Sequence, residues 1–159
     1  MERSVRGVAS TGLPEMLASS RSPGPAPTLR RSLLAIALHN AVEGLVRETY
    51  GAAVARFAHL RGPDPHLSRA LASIARDECA HAALSFRVAE WIVPRLDREG
   101  RARHDDAIRG AIAELRREIA GDATPPELRR ALGLPSRGEA ETLLGHVAGI
   151  FATAARGTA

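Results

Sequence analysis

Glu78 and His81 stand three residues apart in the stretch IARDECAHAAL, residues 74–84. On a helix that spacing points a carboxylate and an imidazole the same way. The two groups together suit iron, manganese or zinc. Their surroundings make the pair conspicuous. Leu67, Leu71, Ile74, Glu78, His81, Ser85, Val88 and Ile92 follow one another at spacings of three and four, so both groups fall on a helical seam rather than on a polar face. Glu43 does the same one segment earlier, between His39 and Val46 in the series Ile36, His39, Glu43, Val46, Tyr50, Val54, Phe57. A charge on a seam is costly to desolvate unless it is paired or bound to a metal. Twelve glutamates and six histidines in 159 residues give Glu-x-x-His by chance in roughly every second such chain. The motif alone therefore decides nothing, and the weight falls on its placement.

The elements that must position these groups are helices. Residues 31–60 contain no proline and are densely apolar, and RGPDP at 61–65 ends them. A second helix is expected over 65–93, stopped by Pro94, and a more polar third over 96–120 with Ile108, Ile112, Leu115 and Ile119 as its stripe. A short piece, PELRRALG, and a last helix over 139–155 complete the chain. The connections are short, so neighbours should pack antiparallel. Residues 1–29, rich in Ser, Pro, Gly and Arg, read as a disordered tail, leaving 30–159 as one helical domain.

The turn between the first two helices is centred near residue 63. Glu43 lies about 20 residues before it, and Glu78 and His81 about 15 and 18 after it, which at about 1.5 Å per residue puts the three within a turn of one level. Glu48 is level as well, but shares a face with Ala41, Ala52 and Ala55. The seam favours Glu43; Glu48 is the alternative ligand. Arg47 offers the rival to a metal, because it can pair with Glu43 or Glu78 and neutralise a carboxylate without any ion. Tyr50 and His39 lie on the seam near Glu43, as a hydrogen-bond partner and an extra ligand or simply as core residues. Trp91 reads as core. His104, beside Asp105 and Asp106, reads as part of a polar helix start that caps.

Composition narrows the classes. Aromatics are 3% and the apolar content is mostly Ala, Leu, Ile and Val, which suits an all-α fold. The 22 basic residues are all Arg and the formal charge is +4, yet no basic block exceeds a dipeptide, so nucleic acid is not the expected partner. No apolar run approaches the roughly 20 residues of a membrane span. The single Cys79 excludes an internal disulfide and fits a reducing compartment, hence a cytoplasmic protein.

IARDECAH resembles the D-E-x-R-H segment of ferritin-like, carboxylate-bridged diiron proteins such as rubrerythrins and acyl-carrier-protein desaturases. NAVEGLVRETYGAAVA, residues 40–55, resembles the helix before it, and bacterial ferritin-like domain proteins carry V-E-G-x-V-R-E-T-Y-G-A followed by I-A-x-D-E-x-x-H-A-x-L. The resemblance covers about residues 31–155. It implies a helical bundle in which Glu43 is the single carboxylate, Glu78 the bridging one, His81 the imidazole ligand and Asp77 the acid that orients a histidine. It implies iron, two ions per completed site, and Fe(II) oxidation by O₂ or peroxide. Three departures stand out. Ala80 replaces the usual Arg, and only half of the ligand set is present. No later segment offers substitute ligands, since Glu141 and His146 are five apart on different faces. The expectations are a dimer that rebuilds the site, a missing half, or a truncated or degenerate bundle acting as a structural or interaction module.

Overall fold

Ser32 opens the first helix by accepting a hydrogen bond from the Ala35 amide at 3.1 Å, filling one of the donors that every helix N-terminus leaves over. The computed structural model describes residues 32–156; the segment 1–29 lies outside them. From Ser32 the chain runs through α1 (Leu33–His39), a π-helical segment (Asn40–Glu48) and α2 (Thr49–Arg61), with helical dihedrals at both joints. Asp64 accepts from the amides of His66 and Leu67 and starts α3 (Pro65–Ile92), whose first residue is a proline that has no amide to leave unsatisfied. A single 3₁₀ turn (Val93–Arg95) leads to Asp97, the cap of α4 (Arg98–Gly121). The short α5 (Pro126–Leu132) and the final α6 (Arg137–Arg156) follow. Every described element is helical, with no strand among the described residues, as the composition requires. None of these helices is long and apolar enough to cross a membrane.

The first helix packs on two sides with two kinds of residue. Toward α4 and α6 it presents bulk. Ala41, Leu45 and Val46 join Ile108, Ala111, Leu115, Ile119, Ala140 and Leu144 in the main core. Burying a side chain such as Val46 or Leu144 contributes about 1.5–3 kcal/mol. Toward α3 it presents small residues together with the polar Asn40, Glu48 and His59, and at Gly44 the two helices come close. A Cβ on Gly44 would stand 2.2 Å from Ser85 Oγ and 2.7 Å from Ser85 Cβ. Asn40 locks the same level by donating its amide to the Ser85 carbonyl at 3.0 Å. Near the turn, Ser68 Oγ donates to the His59 carbonyl at 3.0 Å and lies 2.9 Å from His59 Nδ1. α3 reaches α6 through Phe86, whose ring stacks on Phe151 at 6.0 Å.

Trp91, expected in the core, is 54% exposed, with the Arg95 guanidinium 4.3 Å from its ring centre. His104, expected in a helix cap, is buried instead. Asp97 does the capping two turns earlier, while His104 is only 4% exposed and its Nε2 has no hydrogen-bond partner among the described residues.

The loop from α4 to α5 is held by Asp122. Its carboxylate accepts from the Thr124 hydroxyl at 2.6 Å and the Thr124 amide at 2.8 Å, and it lies 3.1 Å from Arg129. These donors lower its pKa to about 2, the Thr124 hydroxyl most, then its amide, then Arg129. The folded value lies below the ordinary 3.8, so this contribution is complete above about pH 4 and is lost as pH falls toward 2. Asp122→Asn should therefore flatten the fall of the melting temperature between pH 4 and 2. An acid limb identical to the parent's would show that this loop does not limit acid stability.

Candidate metal centre

Glu48 ends the π segment and faces α3. The antiparallel register is explicit: Gly44 lies against Ser85, Glu48 against His81 and Gly51 against Glu78, each step down one helix matched by a step up the other. His81 Nδ1 is 3.3 Å from Glu48 Oε2, and a Cβ on Gly51 would be 3.7 Å from Glu78 Oε2. One donor atom from each of Glu48, Glu78 and His81 falls within 4.8 Å of the others. An ion about 2.1 Å from each donor requires them roughly 3–4 Å apart, so small side-chain adjustments would suffice.

The convergence expected at Glu43 thus falls to Glu48. Glu43 is exposed and lies outside the group. Level across the turn admitted both glutamates, and the preference for Glu43 came from the seam of large residues. That seam points mostly toward α4 and α6, where Tyr50 and Val54 line a cleft of about 430 Å³ with Leu115 and Ile119. Tyr50 is therefore no neighbour of the carboxylates. Half-burial raises its pKa first, with Asp122 and Glu118 adding. His39 is exposed at the end of α1, also outside the group. Asp77 is exposed beside Glu78 and reaches it through charge alone.

The arginine rival is absent from the centre. Arg47 turns away from α3 and binds α4, donating to Glu118 through both terminal nitrogens at 2.8 and 3.3 Å and standing 3.3 Å from Glu114. No described arginine neutralises Glu48 or Glu78. The consequence is electrostatic. The Glu78 carboxyl is raised above its ordinary range, first by contact with Glu48, where two carboxyls can share one proton, then by partial burial and the Glu48 charge; His81 opposes this and Asp77 adds to it. Glu48 Oε2 is buried and receives no hydrogen bond from any described group.

No family model matches the chain, and the comparisons with curated proteins and with solved structures return no match either. The functional reading rests on the residues themselves.

Sequence reasoning placed Glu48 second, and a usable signal was present. Ala52 and Ala55 share its face and are buried, while Ala41, expected there too, belongs to the main core. A stripe of alanines opposite a second small-residue stripe (Ala75, Ala82, Ser85) is a helix–helix contact as much as a row of leucines is.

Proposed function

We propose that this chain is a ferritin-like metal-binding protein of oxidoreductase type, in which Glu48, Glu78 and His81 hold a divalent first-row metal. Iron is the first choice, with manganese and zinc as competitors for the same oxygen and nitrogen donors. One observation carries the reading: a buried carboxylate oxygen, Glu48 Oε2, makes no hydrogen bond to any described residue, and its ion-pair neighbour is the His81 imidazole nitrogen 3.3 Å away, itself a metal-ligand type. Buried polar atoms are nearly always satisfied, and an orphan of this kind marks a group that something else completes. The donor set fits. Two carboxylates favour a higher-charged ion, and a neutral imidazole tolerates several metals.

Iron, when bound, would supply one-electron exchange with O₂ or peroxide. The chain's own part is to present two oxygens and one nitrogen on rigid helices. Gly51 leaves the space beside Glu78 open. Asp77 adds negative charge next to the site.

A second reading, a non-enzymatic helical interaction module, draws on the exposed Ile74, Leu84 and Trp91. Metal content separates the two. Protein purified aerobically, then reconstituted with Fe(II), Mn(II) or Zn(II) and desalted, should retain one of them stoichiometrically by mass spectrometry, and Glu48→Gln should not. Traces of all three, equal in parent and variant, would leave only the interaction module.

A further inference from the structure

Helix α3 carries a second seam that nothing in the described structure covers. Ala70, Ile74, Asp77, His81, Leu84, Val88 and Trp91 alternate at spacings of four and three, the repeat of a coiled-coil contact. Six of the seven are exposed and Val88 is half-buried; Ile74, Leu84 and Trp91 are 47%, 55% and 54% exposed. His81 sits at the centre of the series. Reversed about His81, the seam sets Ile74 opposite Val88, Ala70 opposite Trp91 and Asp77 opposite Leu84, so apolar pairs form its ends and an acidic residue stands on each side of its middle.

We propose that a second copy of this chain seats antiparallel on this seam, about a twofold axis near His81, and that the bound metal takes ligands from both chains. The proposal rests on the metal-binding reading above and adds to it the partner. Three residues from one chain leave a six-coordinate metal short of donors, and His81 presents its ring on the open face with its side chain 60% exposed. A twofold axis there brings a second Glu48, Glu78 and His81 to the same place, the isologous contact in which one patch serves both partners.

The same geometry makes assembly depend on the metal. Each chain carries Asp77 on the seam and Glu48 and Glu78 beside His81, so two metal-free copies bring six acidic groups near the axis. The apolar ends attract and the acidic middle repels. Cations at the axis reverse the sign of the middle, and whatever binds the dimer more tightly than the monomer drives dimerisation by mass action.

The test is sedimentation equilibrium of the full chain, with chelator and then with Fe(II) under anaerobic conditions or Mn(II), alongside metal per chain. The expected result is a monomer–dimer equilibrium at least tenfold tighter with metal. The double variant Ile74→Glu, Leu84→Glu changes only exposed side chains and should keep its helical circular dichroism. It should stay monomeric with metal and bind metal at least tenfold more weakly. A parent that remains monomeric with its site saturated, or a monomeric double variant with undiminished metal affinity, would overturn the shared site and leave the single-chain metal reading intact. Absence of metal binding by the parent at any mass would overturn both.

Discussion

Glu78→Ala should abolish metal binding while leaving the metal-free protein as stable as the parent, or more so. Substitutions around a metal's ligands cost about 10–100-fold in affinity, and loss of a ligand itself should exceed that. Stability moves the other way. Glu78 lies against Glu48 with no arginine to neutralise either, and its pKa is raised by that contact first, then by partial burial. The folded, metal-free chain therefore holds a proton on Glu78 at a pH where the unfolded chain has released it. The extra stability this gives at low pH is lost as pH rises from the ordinary 4.5 through the higher folded value. Near neutrality the parent carries a repulsion that the alanine variant lacks. Melting in the presence of chelator, at pH 5 and pH 7, reads this directly. If Glu78 were instead half of a structural ion pair, its removal would strand a cation and cost about 3–5 kcal/mol; a loss of that size in the metal-free protein would count against the metal reading.

Gly44→Val should be among the most damaging single changes in the described chain. The position lies where the π segment meets α3, and a Cβ there would stand 2.2 Å from Ser85 Oγ, 2.7 Å from Ser85 Cβ and 2.8 Å from Asn40 Oδ1. Two packed helices must move apart, or Ser85 and Asn40 must leave their places. Overpacking of this kind costs about 1–3 kcal/mol, and losing the Asn40–Ser85 hydrogen bond adds about 1 kcal/mol. Urea unfolding should show the midpoint falling accordingly, with Gly44→Ala smaller in effect and partly rescued by Ser85→Gly. Gly110→Ala is the control. Nothing lies within 4 Å of a Cβ there, so the change should raise stability by about 0.5–1 kcal/mol through helix propensity alone. Equal losses at Gly44 and Gly110 would mean that the close approach of the two helices is not what Gly44 serves.

The helices were legible because their signals are local. Gly62 and the prolines at 63 and 65 end one helix and begin the next, and the Ile108–Ile119 stripe is the buried face of α4. The pair Glu78 and His81 was legible for the same reason: their spacing alone gives them a common face. Their partner was not, because choosing it requires knowing which side of the first helix meets α3. Ranking faces by large apolar residues selected Val46, Tyr50, Val54 and Phe57, which serve a different contact, and passed over the alanines that allow two backbones to approach. Arg47 shows the same limit. Its distance in sequence from Glu43 suggested a local pair, whereas its acceptors are 67 and 71 residues away on α4. Trp91 was misjudged because an aromatic residue is ordinarily buried, and an exposed apolar seam looks in sequence like a covered one.

The π segment also bears on heredity. Hydrogen bonds from i to i+5 place more residues in each turn than the 3.6 of an α-helix, so Asn40–Glu48 stores length that an α-helix of equal reach would not need. The smallest genetic event able to remove it is the loss of one codon. Such a deletion inside the segment would restore turns of 3.6 residues and leave α1 and α2 continuous and in nearly the same phase. A deletion in the regular turns of α1 or α2 has no surplus to absorb it and would turn the residues on one side of it by about 100° against those on the other. The π segment is therefore a place where a lineage could lose a codon and keep Glu48 opposite His81, whereas the same loss in the helices on either side would part them.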